Sequence, residues 1–416
     1  MNTAFRISRR LRLGSGGGSP AAVVIAVVGV ALSVMIMEFT LAIVVGFKSG
    51  IVAKLAGFDA QISVGAPYSA NEALSLPFVT RSETLDSILR LNLPADADVR
   101  LAIRQPGMLK TTDDFEGVVF IGQSADAPFT FEKANIVEGA WPVYSSDSCD
   151  NQIVISRQLA NALKLGVGDK VYSTFIIDED IKLRRHTVAG LYESDFGDYD
   201  RSVVYASLRG LQRVVGADSL QGNAIDIRGL NEDDIDPLTQ SLQHALVDAV
   251  ATRRLSEFCH VGNIHNSGAL YYNWLALLDT NVSVIFILML AVSGFTLISS
   301  LFVLILERIS TIGILRAMGA PRSMIREIFT DMGLRLVGRG LLIGNVLGIG
   351  LLLVQKYTSA IPLDPDMYYL SAVPVEIRPW WFVILNVGII VVSWLILYIP
   401  ARSASKVSPS EAIDYD

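Results

Sequence analysis

The sequence predicts an α-helical integral membrane protein with four transmembrane helices and a large mixed α+β extracytoplasmic domain between helices one and two. Composition is the first observation behind this: apolar residues make up 51% of the 416 residues, and mean hydropathy is +0.44. The second is length. A helix rises roughly 1.5 Å per residue through roughly 30 Å of hydrocarbon, so about 20 apolar residues span a bilayer, and four stretches are that long. The third is the long polar interval that separates the first stretch from the other three.

Taken in order, residues 1–20 form a basic N-terminal segment with Arg6, Arg9, Arg10 and Arg12, followed by a flexible glycine-serine patch at Gly14–Ser19. Span one, 21–47, is broken only by Glu38. It is too long for a signal-peptide core and shows no small-x-small cleavage site, so it is expected to stay as an anchor. The polar interval is 48–279. Span two, 280–306, is uncharged, and 307–331 is a basic connection with Arg308, Arg316, Arg322 and Arg326. Span three, 332–355, carries Arg335 and Arg339 near its start, and 356–378 is a loop. Span four, 379–401, is uncharged and bears Trp380, Trp381, Trp394 and Tyr398 near its ends, where aromatic rings favour the interface. The tail 402–416 adds Arg402 and Lys406. All basic clusters fall on one side if the spans alternate, and the positive-inside rule makes that side the cytoplasm. The 48–279 segment is then outside, in the periplasm of a two-membrane cell.

That segment is long enough for one or two cores of its own. Its acids outnumber its bases by about ten, which argues against nucleic-acid binding. Short β-branched runs predict strands at Asp59–Val64, Gly117–Ile121, Ile153–Ser156, Lys170–Ile177, Arg185–Leu191 and Ala224–Arg228. Helical periodicity predicts helices at Ser82–Leu91, Ser156–Leu165, Leu208–Val215 and Asp236–Ala251. From Leu163 to Val171 the pattern is a helix ending at a glycine, then a tight turn into a strand.

Several chemistries have no residues to carry them. No phosphate-cradling glycine loop with Lys and Ser/Thr is present, and the cytoplasmic segments are too short for a nucleotide-binding domain. Cys259, His260 and His265 match no standard metal spacing, and His186 and His244 stand apart. Asp195, Asp198 and Asp200 alternate like the start of a calcium loop but lack its remaining ligands, so a polar loop is the reading. Cys149 and Cys259 share an oxidising compartment and are a candidate disulfide. Charge within hydrocarbon is costly, so Glu38, Arg335 and Arg339 either serve substrate or coupling, or face a partner helix or wet cavity. The arginines can also snorkel to the interface.

The junction after span two holds the most information. Ile309, Ile312, Leu315 and Met318 recur at helical spacing, with Arg308 and Arg316 at polar positions. Gly319 can take a left-handed cap, and Pro321 suits the start of a following helix. A short capped helix at the cytoplasmic face can receive a push from a soluble partner.

Glu307–Pro321 resembles the FtsX-like permeases of ABC transporters, whose second span is followed by Glu-Arg-x-x-x-Ile-Gly-Ile-Leu-Arg-Ala-Met-Gly-Ala. Pro400–Ile413 resembles that family's closing motif, and Leu165–Val171 a turn of its outer domain. Thr311 departs from the acid that many members carry there. The loop Ile361–Ile377, the large outer domain and the missing fused ATPase are similar to the lipoprotein-releasing branch, LolC and LolE. The resemblance implies a MacB/LolC-type periplasmic domain and a non-catalytic permease in the bacterial inner membrane. It implies as partners an ABC ATPase dimer that binds ATP and Mg, with no cofactor on this chain, and a second permease subunit as homo- or heterodimer. Lipoprotein substrate, a periplasmic lipoprotein carrier and membrane lipid complete the set. Contact with the ATPase is expected from Glu307, Arg308, Ile312, Gly313, Leu315, Arg316, Met318 and Gly319.

For substrate, span one offers small residues first (Ala26, Gly29, Ala31, Ser33) and bulky ones later. Met35, Met37, Glu38, Phe39 and Leu41 are the candidate cavity residues for acyl chains, with plain lipid contact or helix packing as the alternative. Two rival functions stay open: a transmembrane scaffold that signals to a cell-wall hydrolase, and an efflux permease for hydrophobic small molecules.

Overall fold

In the computed structural model of the protein, the residues described are 20–66, 77–112, 114–124, 130–144, 149–177 and 180–404. The N-terminal arginines, the Gly14–Ser19 patch, Lys406 and most of the closing motif lie outside them. The helices are α1 (Pro20–Phe58), α2 (Glu83–Asn92), α3 (Thr130–Ala134), α4 (Arg157–Leu163), α5 (Gly197–Asp200), α6 (Leu208–Val215), α7 (Ile235–Ala251), α8 (Ile264–Ser267), α9 (Ala269–Glu307), α10 (Ile309–Ala317), α11 (Arg322–Thr358), α12 (Pro365–Tyr368) and α13 (Pro379–Ala404). The strands are β1 (Ile62–Gly65), β2 (Val79–Thr80), β3 (Asp98–Ala102), β4 (Arg104–Lys110), β5 (Phe115–Gln123), β6 (Ile136–Gly139), β7 (Gln152–Ser156), β8 (Lys170–Ile177), β9 (Asp180–Tyr192), β10 (Val203–Ser207), β11 (Gln221–Gly222), β12 (Ala224–Arg228) and β13 (His260–Asn263). Among the described residues four helices, α1, α9, α11 and α13, are long and apolar enough to cross a membrane.

The chain divides into two compact units, one comprising Gly50–Asn273 with Leu363–Ser371 and the other the remaining residues. The first holds all the strands of the described residues. Its larger sheet runs β6-β9-β7-β10-β5-β4-β8, and because β8 also pairs with β9 the sheet closes on itself. Long β9 makes this closure: residues 180–187 pair with β8 and residues 187–192 with β7. Inside lie Leu109, Phe120, Val171, Phe175 and Val188, with Leu159 and Leu163 of α4 and Leu211 and Val214 of α6 packed against them. Burying each such side chain fully contributes about 1.5–3 kcal/mol, an upper figure because unfolded chains already bury some of it.

Serine caps set where these helices begin. Ser156, at the end of β7, accepts the Leu159 amide, and Ser207, at the end of β10, accepts that of Gly210. A second, antiparallel sheet runs β13-β1-β12-β3, with α7 packed on β13 and α2 on α7. A bidentate ion pair at 2.9 Å, Arg104 to Asp226, ties β4 of the first sheet to β12 of the second.

Every expected strand and helix is present, with Lys170–Ile177, Ala224–Arg228 and Leu208–Val215 matching residue for residue. One detail is corrected. Helix α4 ends at Lys164, not at a glycine: Lys164 takes the left-handed conformation at φ 55° and its amide bonds back to Ala160 and Asn161. Glycine is spent one turn later, at Gly168 (φ 93°), where the Asp169 carboxylate accepts the Gly166 amide at 2.7 Å.

In the other unit, α1, α9, α10, α11 and α13 share one apolar core that includes Val34, Leu301, Ile312, Phe329 and Leu397. Helix α11 meets α1 through glycines spaced by four. Gly340 faces Val27 and Val30, Gly344 faces Ala31 and Val34, and Gly348 faces Met35 and Glu38. Helices α11 and α13 are joined by a reciprocal amide pair, Asn345 Nδ2 to Asn386 Oδ1 at 2.8 Å and Asn386 Nδ2 to Asn345 Oδ1 at 2.9 Å. Each amide gives its other proton to the carbonyl one turn back, so all four donors are used.

Candidate functional site

The junction after α9 folds as a separate helix because the chain breaks twice. Arg308 leaves helical geometry at φ −113°, ψ 18° and serves as N-cap of α10. At the other end Gly319 sits at φ 87°, its amide bonding to Arg316 O and that of Ala320 to Leu315 O. This closes the helix with a left-handed glycine cap, and Pro321 then caps α11. Between these ends the apolar side chains divide between two faces. Ile312 and Gly313 are buried and Leu315 is partly so, turned toward Ile325, Ile328, Phe329 and Met332 of α11. Ile314 and Met318 point out, 62% and 78% exposed, with Ala317 also exposed between them. Arg316 is half-buried, while Glu307 and Arg308 are partly buried at the start. The apolar face expected as Ile312, Leu315 and Met318 is therefore split: two of its members hold the bundle, and the outward pair is Ile314 with Met318.

Helix α1 splits the same way. Met35, Ile36, Phe39, Thr40, Ile43 and Val44 line a shallow apolar groove of about 470 Å³. They fall three or four residues apart, hence on one helical face. Thr40 spends its hydroxyl on the Ile36 carbonyl, so the groove offers no free donor there. Met37 and Glu38 are buried on the opposite side, and Leu41 packs against the same core. The sequence-derived cavity set thus separates into Met35 and Phe39 in the groove, Phe39 also packing partly against Ala42, Leu352 and Phe382, and Met37, Glu38 and Leu41 in the packing. Glu38 is fully buried, neither carboxylate oxygen finds a hydrogen-bond partner among the described residues, and the missing side chain of Gly348 gives it room. Arg335 is paired with Asp331 one turn earlier at 2.5 Å, and Arg339 is exposed.

In the β-containing unit the three alternating acids have three different tasks. Asp195 approaches Lys54 at 4.0 Å, Asp198 accepts the hydroxyls of Tyr271 and Tyr369, and buried Asp200 accepts the Ser194 amide and hydroxyl. His265 is held between Asp236 (2.9 Å) and Glu232 (3.0 Å). Burial opposes its protonation, but hydrogen bonds and charge from both acids outweigh this and raise its pKa. His186 is buried with Ser173 at 2.7 Å, and burial, reinforced by Arg184, pushes its pKa down to about 4. No cluster of three metal-ligating side chains occurs among the described residues. Cys149 and Cys259 are not joined to each other, so the candidate disulfide is absent.

One surface escaped the sequence reading. Register places Thr174 between Met108 and Leu183, and Ile176 opposite Ile181, all on one face of β4, β8 and β9. Tyr172, Ile176, Ile181 and Leu183 are 41–68% exposed there. Strand β8 carries polar and apolar residues on both faces, Val171, Ser173, Phe175 and Ile177 on one and Lys170, Tyr172, Thr174 and Ile176 on the other, so only pairing and burial show which set faces out. The glycine spacing of α11 was legible as a small-xxx-small pattern, the available signal for the α1 seam.

Residues 23–245 match the MacB-like periplasmic core domain, and residues 283–409 the FtsX-like permease C-terminal region. The lipoprotein-releasing system transmembrane protein LolC of Xylella fastidiosa (strain 9a5c) is 23% identical over 94% of this chain and 93% of its own length. LolE of Haemophilus influenzae is 27% identical over 34% of this chain and 36% of its own. The extracellular domain of the noncanonical ABC-type transporter YknZ aligns over 49% of this chain and 99% of that domain, at 14% identity and a TM-score of 0.33.

Proposed function

The chain belongs to the MacB-like periplasmic core domain family and is an ABC transporter permease of the FtsX/MacB type, and we propose that its cargo is lipoprotein, extracted from the inner membrane and passed to a periplasmic carrier. The observation that carries this reading is the α1 groove. Moving an acyl chain from lipid to water costs about 0.8 kcal/mol per methylene, so roughly 12 kcal/mol for a sixteen-carbon chain. Extraction therefore needs a continuous apolar surface that replaces the bilayer. A groove of Met, Ile, Phe and Val with no free donor provides one, and flexible Met35 adapts to irregular chains. Relatives over nearly the whole chain named as lipoprotein-releasing proteins support the same cargo.

In this reading a partner ATPase dimer carrying ATP and Mg supplies the energy, and a second permease copy or relative completes the transporter. The ATPase takes the outward residues Ile314 and Met318, with Arg316 and Gly319 beside them. ATP-driven closure would push α10, and the differential contact of its two faces makes it a lever, since Ile312 and Leu315 engage α11. The exposed apolar face of β8 and β9 is the surface offered to the carrier, which must meet the protein outside the membrane.

A photo-crosslinker at Phe39, in the full transporter in proteoliposomes, tests the cargo. It should capture a triacylated lipoprotein, with ATP reducing the yield, while the same probe at buried Met37 captures none. Capture of phospholipid alone at Phe39, together with a wall hydrolase bound to the outer unit, would replace this reading with the signalling scaffold.

A further inference from the structure

The connection between α11 and α13 is a hairpin held at both ends. At its foot, residues 361 and 373 pair through Val373 N to Ile361 O at 3.1 Å, and Pro362 bridges Ala372. Gln355, buried in the last turns of α11, clasps this foot. Its amide nitrogen donates to Val373 O at 3.1 Å, and its oxygen accepts the Ile361 amide at 3.1 Å. A side chain that engages both strands ties the hairpin to the helix it follows.

The tip, Leu363–Ser371, belongs to the β-containing unit and is fastened there through Tyr369. Tyr369 takes a left-handed conformation, φ 59°, which turns its carbonyl and ring to opposite uses. The carbonyl accepts from Lys54 Nζ at 2.8 Å, and the same ammonium donates to Ser194 O at 2.5 Å. The ring packs 4.8 Å from Phe196 and 5.7 Å from Tyr271. Its hydroxyl donates to Asp198 Oδ2 at 3.1 Å, and that oxygen also accepts Tyr271 OH at 2.7 Å. Leu370 rests on Gly50, where a methyl group would be in contact. Lys54 is only 16% exposed and Phe196 is fully buried, so that side of the fastening is packed, while the hydroxyl bonds to Asp198 lie at the surface. Cationic, aromatic and carboxylate contacts converge on one residue of a nine-residue tip.

We propose that this hairpin is a strap that transmits movement of α11 and α13 to the outer unit, with Gln355 as its anchor and Lys54 and Tyr369 as its fastening. The inference rests on the chain being an ATP-driven permease and holds whatever the cargo. A strap of this kind restrains the outer unit through a route separate from α1 and α9, the two helices that lead directly into it.

The test compares Lys54→Met with Tyr369→Phe in the full transporter, and Met367→Ala as a control, since Met367 is 69% exposed and outside the fastening. Hydrogen exchange of amides 363–371 should rise roughly tenfold in Lys54→Met and less in Tyr369→Phe, with Met367→Ala unchanged. ATP hydrolysis should stay within a factor of about two, while ATP-driven release of cargo falls about fivefold or more in Lys54→Met. Tyr369→Phe keeps the ring stacks, so it separates loss of the fastening from misfolding. Unchanged exchange in Lys54→Met would show that the strap is not fastened there. Raised exchange with undiminished release would show that the strap transmits nothing. If wild-type transporter releases no lipoprotein, the cargo assignment fails alone. The strap is then judged by whether ATP binding alters exchange of 363–371 in wild type and loses that effect in Lys54→Met.

Discussion

Gly344→Ala and Gly350→Ala are one substitution on one helix, and the structure assigns them opposite signs. A Cβ at Gly344 would sit 2.8 Å from the Ala31 carbonyl oxygen and 2.9 Å from Val34 Cβ, both on α1. Neither can yield without moving backbone, so α1 and α11 must separate. Overpacking of this kind costs about 1–3 kcal/mol. At Gly350 a Cβ meets nothing within 4 Å. There the change brings only the helix preference of alanine over glycine, a gain of about 0.8–1.0 kcal/mol. Alanine's helix preference applies at both positions and cancels between them. The two variants should therefore differ by the overpacking cost, roughly 1–3 kcal/mol, with wild type between them wherever that cost exceeds the propensity gain. Thermal unfolding of the purified full-length protein, in one detergent, reads this difference. A Gly344→Ala protein that melts as high as Gly350→Ala would refute the close helix seam.

Further outcomes follow from the same geometry. Met318→Asp should abolish copurification of the ATPase while leaving the melting temperature near wild type, whereas Ile312→Asp should lower melting itself; the reverse pattern removes α10's outer face from the contact. Ile181→Asp, at an exposed position, should weaken carrier capture at least tenfold with the fold intact, and unchanged capture in a pull-down would dismiss the β8–β9 face. The two histidines should act on pH in opposite directions. His186, with its folded pKa near 4, contributes stability above about pH 6.5 that is lost as pH falls toward 4, and His186→Gln should flatten that limb of the unfolding midpoint. His265, with its folded pKa raised by Asp236 and Glu232, contributes stability that is full below about pH 6.5 and lost as pH rises through the folded value. A midpoint that does not respond to His265→Gln at low pH would show the bridge to be inert.

What could be read in the sequence was whatever depends on periodicity and local stop signals. The four apolar runs, the Gly319 cap and the start of α11 after Pro321 are local patterns: each run falls within one long helix, three of which extend well past it, and the cap and the helix start are found at those residues. Strand β4 was missed because Pro106 and Gly107 argue against a strand. It is tolerated because β8 joins β4 only at Met108–Lys110, so Pro106 has a strand on one side alone. Strand β10 was missed because all five of its residues are buried, leaving no alternation to detect. Facing was the other loss. Ile312 and Met318 both fit an apolar helical stripe, yet one packs on α11 and the other is open, and only tertiary contact decides between them. The same holds for Met37 against Phe39, two residues apart on α1. The Tyr369 fastening joins residues up to 315 positions apart, beyond any local signal.

The amide ring between Asn345 and Asn386 has a mechanical consequence. Each of its two bonds needs the partner side chain at one height along the membrane normal. Sliding α13 against α11 breaks both before any new match is reached, and helical geometry spaces equivalent positions by roughly 5.4 Å. In an apolar medium an amide with nothing to bond has no water to fall back on. Small displacements are thus resisted and large ones have no resting place, so the two helices travel as a single piece. Any gear in this protein must turn at a joint other than that one.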